Sequence, residues 1–321
     1  MHGRGNAAGM VALIALGTFA VSLEQVASEP AQPGSAVERV ELASADGRTT
    51  LVGYLFRPAV QPGTRVPAVV MMHGRAGAYS TRANGTYDAT TLSQRHQFWG
   101  RWWAEQGYLA LLIDGFGPRG YPQGFPRFSY DARPPELNEV TVRPLDAYGA
   151  LAYLRSRPDV LADRIGLQGW SNGGSATLAT MAPDAPGIVD HNPVAGFRAA
   201  LAFYPACKLK GHFAKTDYGS YAPLRLFMGS ADEEVSPKRC RDLLGDADGD
   251  IESRFYKGAT HDFDDPGPRR QSVPANAKAR SDAIRRATEF FGRQLAGARW
   301  HAGGRGGKAR SNPYFFSPMA L

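Results

Sequence analysis

From Val37 onward, short strand-like runs alternate with stretches of helical patterning, and this alternation restricts the chain to a sheet covered by helices on both faces. Residues 68–72, 109–113, 165–168, 199–203, 224–228 and 252–256 read as buried parallel strands. A strand covered on both faces loses the in-and-out alternation of an exposed one. Residues 38–42 and 50–56 flank Asp46-Gly47 and read as an opening hairpin. Helices are expected over 98–106, 145–155, 173–181 and 281–295. No repeat or interdomain linker interrupts the series, so residues 29–296 read as one catalytic domain. A chain of 321 residues buries roughly 75% of its unfolded surface and forms a core without a metal or disulfide lattice. Two cysteines also exclude a zinc ribbon.

The ends follow a different logic. Residues 10–21 are an uncharged apolar run after Arg4, and the polar stretch behind them ends Val26-Ala27-Ser28, which suits a signal peptide cleaved after Ser28. The other reading is an uncleaved anchor, but the run is shorter than the about 20 residues that span a bilayer. Export places the mature chain in the periplasm or medium, free of the membrane, where Cys207 and Cys240 either pair or stay as buried thiols. The net charge is +7, yet Arg299, Arg305, Lys308 and Arg310 lie in residues 297–321 with no acid among them, leaving +3 for the rest. That Gly-rich segment reads as a basic flexible tail, and no nucleic-acid-binding motif accompanies it.

The chemistry is carried by Gly169-Trp170-Ser171-Asn172-Gly173, a G-x-S-x-G sequence directly after a strand and before a helix. The glycines allow a turn tight enough to raise the Ser171 hydroxyl above the sheet, and the helix start offers N–H groups to a negative oxygen. A serine hydroxyl needs a base held by a carboxylate. Asp232 follows the strand over 224–228 and His261 follows that over 252–256, so all three fall at strand carboxyl ends, where open α/β sheets bind ligands. His73 precedes Ser171 and belongs to another motif, His96, His191 and His212 lie in loops with no strand immediately upstream, and His2 and His301 lie in the termini. Glu233 and Glu234 rival Asp232, but read as solvated loop charges or helix N-terminal acids. After the strand over 68–72, His73-Gly74-Arg75 supplies the second oxyanion donor, so the backbone N–H groups of Asn172 and Arg75 are assigned to the oxyanion hole.

These stretches, with Phe203-Tyr204-Pro205, Gly229-Ser230-Ala231-Asp232 and Gly258-Ala259-Thr260-His261-Asp262-Phe263, resemble the dienelactone hydrolase family of the α/β-hydrolase superfamily from about residue 37 to 295. The resemblance implies an α/β-hydrolase fold and a Ser171, Asp232, His261 triad. Dienelactone hydrolase itself uses a cysteine nucleophile in the cytoplasm and has an acidic residue where this chain has His73-Gly74. Gly115-Phe116-Gly117-Pro118-Arg119-Gly120 matches a dinucleotide fingerprint, but Pro118 and Pro122 deny it the helix that site needs.

The expected function is an exported serine hydrolase acting on a small-molecule carboxylic ester without cofactor or metal. A peptidase or amidase with the same triad, or a silent binding protein on this fold, are the alternatives. Residues 115–138 hold Phe116, Tyr121, Phe125, Phe128 and Tyr130 and form either a pocket wall or a surface loop packed on the body. His73, Trp170, Phe116 and Tyr121 are the candidate pocket residues. Arg75, Arg119, Arg127 and Arg133 either recognise an anionic substrate or stand unpaired on the surface.

Overall fold

Eight strands and six α-helices follow one another in a computed structural model that describes residues 36–213 and 217–296; the expected signal segment and basic tail lie outside the described residues. In order they are β1 Glu38–Ala43, β2 Thr50–Phe56, β3 Val66–Met72, α1 Gln94–Glu105, β4 Leu109–Asp114, α2 Arg143–Ser156, β5 Val160–Trp170, α3 Asn172–Met181, β6 Ala199–Phe203, β7 Leu224–Gly229, α4 Pro237–Gly245, β8 Ile251–Tyr256, α5 Pro268–Gln271 and α6 Pro274–Phe291. They form one sheet ordered β1-β2-β4-β3-β5-β6-β7-β8. β2 runs antiparallel to both β1 and β4, and every other pairing is parallel.

Local chemistry fixes the boundaries. At the opening hairpin, Asp46 Oδ1 accepts from the N–H groups of Arg48 at 2.9 Å and Thr49 at 2.8 Å, and Gly47 takes φ 73°. Ser93 and Ser236 cap α1 and α4, while prolines occupy the first turns of α2, α4, α5 and α6, where no N–H is needed. The proline at 274 starts α6 seven positions before the expected residue 281.

β4 and most of β3 are buried, each large apolar side chain contributing about 1.5–3 kcal/mol. A Cβ on Gly166 would point at Phe291, the last residue of α6, and Leu295 just beyond it, and one on Gly169 would point into α3, so these helices cover opposite faces of β5. β8 corrects the expectation of a buried strand: it is the sheet edge, with Glu252, Ser253 and Arg254 exposed. It pairs with β7 along its whole length but has no neighbour on its other side, so its middle residues carry polar side chains into solvent and only Tyr256 is buried.

Strand order reverses direction between β3, which connects outward to β4, and β5, which connects to β6. The crevice at such a switch point opens at the strand carboxyl ends, beside His73 and Ser171. Among the described residues no helix is long and apolar enough to cross a membrane.

Candidate active site

Ser171 sits between the last residue of β5 and the first of α3 with φ 52° and ψ −114°, a conformation that a side chain-bearing residue takes only when its surroundings impose it. Its N–H donates to the Phe203 carbonyl at 2.9 Å, and its own carbonyl accepts from the Ser175 N–H at 2.8 Å. The flanking glycines are required by contact: a Cβ on Gly169 would collide with the Gly173 carbonyl, and one on Gly173 with the carbonyls of Met72 and His73. The strained turn is thus wedged against the end of β3.

The His261 Nε2 lies 3.0 Å from the Ser171 hydroxyl, and Nδ1 lies 2.7 Å from Asp232 Oδ2. The Asp232 carboxylate is buried, and its other oxygen accepts from the N–H groups of Glu234 and Val235, each at 2.9 Å. With the carboxylate fixed, Nδ1–H donates to Asp232 and the Nε2 lone pair faces the serine. Burial opposes charge on this ring, yet Asp262, Asp232 and Glu234 outweigh it and hold the imidazole above its ordinary value. The Tyr204 ring packs against it at 4.6 Å.

Of the two neighbouring acids, Glu234 corrects the sequence reading, whereas Glu233 is an exposed loop charge. Glu234 is not a solvated loop charge: Arg75 grips it with Nε at 2.7 Å and Nη2 at 3.0 Å, and one of its oxygens lies 3.9 Å from His261 Nε2. Glu233 accepts from the His261 N–H at 2.9 Å and pairs with Arg270 at 3.0 Å. Glu234, His261 and Asp262 bring possible metal-ligand atoms within 4.8 Å of one another. Arginines already neutralise both carboxylates, and the imidazole is engaged by Asp232 and Ser171. A metal would have to displace them, so the donor set does not fit one.

The backbone N–H groups of Asn172 and Arg75 have no acceptor among the described residues. Asn172 opens α3, whose N-terminus favours negative charge. Gly74 passes so close to Ser171 that a Cβ there would lie 3.3 Å from the Ser171 Cβ.

The candidate pocket residues divide. His73 is buried, its Nδ1 2.7 Å from the Gly74 carbonyl and its Nε2 accepting from the Gly115 N–H at 3.2 Å. Burial and then Arg143 push its pKa well down, which keeps it neutral. Phe116 is buried against this ring at 4.5 Å, and Trp170 is buried with its indole donating to Asp264 at 2.8 Å. These three pack the interior rather than line an open surface; the side chain after a strand end points down as readily as up. Tyr121 is partly exposed, with its hydroxyl 3.3 Å from Glu136. The loop over 115–138 is tied down by the Phe125 N–H donating to the Arg75 carbonyl at 2.8 Å.

The arginines are not free surface charges either. Arg75 and Arg127 hold Glu234, and Arg119 is buried between Asp46 at 3.0 Å and Asp146 at 2.8 Å. Only Arg133 of the four lacks a carboxylate within 4.0 Å among the described residues. Cys207 and Cys240 form a disulfide that joins the segment after β6 to α4.

The family model for the dienelactone hydrolase family matches residues 51–295. Among curated proteins, the chain is similar to the quorum-quenching protein AidA of Acinetobacter baumannii (strain MDR-ZJ06), 29% identical over 160 residues, which are 49% of this chain and 45% of AidA. The match therefore spans less than half of that relative's length. Among solved structures, it is similar to esterase 2 of Thermogutta terrifontis phosphorylated by paraoxon, with 22% identity and TM-score 0.53 over 80% of this chain and 95% of that one. It is also similar to a dienelactone hydrolase-like promiscuous phosphotriesterase from metagenomic libraries, with 16% identity and TM-score 0.55 over 81% of this chain and 100% of that one. At these identities the likeness is one of fold, the α/β-hydrolase fold.

Proposed function

The chain belongs to the dienelactone hydrolase family, and from that premise we propose that it is a serine hydrolase cleaving carboxylic esters through an acyl-enzyme on Ser171. The observation that carries this reading is the hydrogen-bonded chain from Ser171 through His261 to Asp232, at 3.0 and 2.7 Å. The Ser171 oxygen attacks the ester carbonyl while His261 Nε2 takes its proton, and the N–H groups of Asn172 and Arg75 receive the oxyanion. The tetrahedral intermediate then collapses, Nε2 returns the proton to the departing alcohol, and water repeats the sequence on the acyl-enzyme. Asp232 holds the imidazole tautomer throughout.

Labelling the protein with a fluorophosphonate, beside Ser171→Ala, tests this: one adduct by intact mass in the parent protein only is expected. Failure to label a folded protein that also turns over no ester refutes it. A panel of esters, lactones and matched amides then separates esterase from amidase. AidA is named for quorum quenching, so degradation of bacterial signal molecules belongs in the same panel.

Arg133, the one of the four arginines without a carboxylate within 4.0 Å among the described residues, supports a narrower proposal, that the substrates include esters carrying an anion. It is partly desolvated, with burial pulling its pKa down, and Glu139, Arg75 and Glu234 lie within electrostatic reach. Equal turnover of neutral and carboxylate-bearing esters removes this reading.

We further propose that the protein works outside the cytoplasm. The apolar run over 10–21 and the Cys207–Cys240 disulfide support this, since such bridges persist in oxidising compartments. Sequencing the mature N-terminus tests it; a secreted form beginning after Ser28 is expected, and an intact N-terminus retained in the cytoplasm refutes it.

A further inference from the structure

Arg143, the first residue of α2, is completely buried beneath the nucleophile turn. One of its terminal nitrogens, Nη1, donates both to the His73 carbonyl at 2.8 Å and to the Asn172 side-chain oxygen at 2.7 Å. The Asn172 side chain is held at its other end too, donating to Glu139 at 3.3 Å. The guanidinium lies 5.1 Å from the Phe116 ring. Its remaining nitrogens, Nε and Nη2, are buried without a partner, as is the second oxygen of Glu139.

This is a poor arrangement for stability alone. A buried guanidinium with two unpaired nitrogens carries a desolvation penalty that an apolar side chain of the same volume avoids. What it does achieve is geometric. The two oxyanion donors belong to separate segments: Arg75 follows β3, and Asn172 follows β5. No covalent link sets their separation. Nη1 bridges them, gripping the carbonyl of the peptide that leads into Gly74-Arg75 and, on the other side, the residue that bears the second N–H.

We propose that Arg143 is a positioning residue for the oxyanion hole, holding the β3 and β5 loops at the separation that lets the Arg75 and Asn172 N–H groups converge on one oxygen. This rests on the serine hydrolase reading. Its effect falls on the transition state, because only there does the oxygen carry the charge that both donors must meet.

The experiment compares Arg143→Met, Arg143→Lys and Asn172→Ala with the parent for kcat and KM on an ester. It also measures inhibition by an aryl boronic acid, whose tetrahedral adduct on serine mimics the oxyanion, and by the carboxylic acid product. Losing one well-placed oxyanion donor costs about 100- to 1,000-fold in kcat, and misplacing one costs less, so Arg143→Met is expected to lower kcat roughly 10- to 100-fold. KM and product inhibition should stay within about threefold, boronate affinity should fall in parallel with kcat, and Arg143→Lys should lie between. Asn172→Ala keeps its backbone N–H but loses the anchor; combined with Arg143→Met it should be little worse than either alone.

Unchanged kcat, or a rise in KM with boronate affinity intact, overturns the proposal. Should Arg143→Met not fold, the same expectations fall on Asn172→Ala, and full activity there overturns it. Fluorophosphonate labelling of the parent keeps the two readings apart: no adduct and no ester turnover would refute the enzyme itself, whereas a labelled, active parent with unimpaired variants refutes only the role of Arg143.

Discussion

Replacing Glu234 by Gln should extend activity to lower pH. His261 acts as a base only when neutral, and its pKa is raised, so the acid limb of kcat/KM is expected above the ordinary histidine value of 6.5. Glu234 contributes to that rise from 3.9 Å. At this distance a full charge is worth about 4 kcal/mol at an effective dielectric of ~20 and about 1 kcal/mol in water. Arg75 and Arg127, each at 2.7 Å, neutralise most of the carboxylate's field, so the lower figure applies. About 1 kcal/mol corresponds to roughly 0.7 pH unit. Glutamine keeps the shape, the backbone N–H that holds Asp232, and an oxygen for Arg75. The assay is a pH profile of kcat/KM on an ester whose leaving group does not titrate between pH 5 and 9. A limb that stays in place or moves upward refutes the assignment of Glu234 as part of the field that tunes His261.

Three further outcomes follow from the packing. Cys240→Ser should lower unfolding free energy by about 3–4 kcal/mol, from the entropy of closing a loop of 33 residues, read as an earlier denaturant midpoint; an unchanged midpoint refutes it. Asp264→Ala strands the indole donors of Trp99 and Trp170 and the Tyr204 hydroxyl, all buried, and should cost about 1–3 kcal/mol per donor, with a melting curve as the check. The third outcome concerns pH. His96 is pushed down to about 3 by burial and Arg95, and His73 also lies well below 6.5. The unfolded chain protonates both near 6.5, so their contribution is complete above that value and declines as pH falls toward the folded pKa. His261, raised instead, has the opposite sign and stabilises below 6.5. Two groups against one should lower the denaturant midpoint between pH 7 and 5, and a rise over that interval refutes this balance.

Strand positions and the turn at Ser171 are legible in the residues because each depends on neighbours in sequence. The run Gly169-Trp170-Ser171-Asn172-Gly173 announces its own geometry: no other residues fit against Met72, His73 and the Gly173 carbonyl at the flanking positions. The order Ser171, Asp232, His261 is readable for a related reason, since each residue stands just past a strand and parallel strands deliver their carboxyl ends to one edge. The pocket residues were not legible. A sequence says that Trp170 and His73 adjoin the site, but the direction of each side chain depends on partners far away, Asp264 for one and Gly115 for the other.

Charged residues mark the same boundary more sharply. Glu234, Arg75, Arg119 and Arg143 are polar letters that a one-dimensional reading assigns to the surface. Their burial rests on counter-charges or carbonyls separated by as many as 159 positions for Glu234 and Arg75, and by 70 for Arg143 and His73. Periodicity, glycine sterics and strand ends are local properties, and from them alone the α/β architecture, the turn that bears Ser171 and the chain order Ser171, Asp232, His261 can be read. Which carboxylates surround His261, which arginines are already neutralised, and how Arg143 ties the loop after β3 to the one after β5 come only from the assembled fold. A buried charge is tolerated only where the whole fold has brought its partner to it, and that requirement leaves no trace in the neighbouring residues.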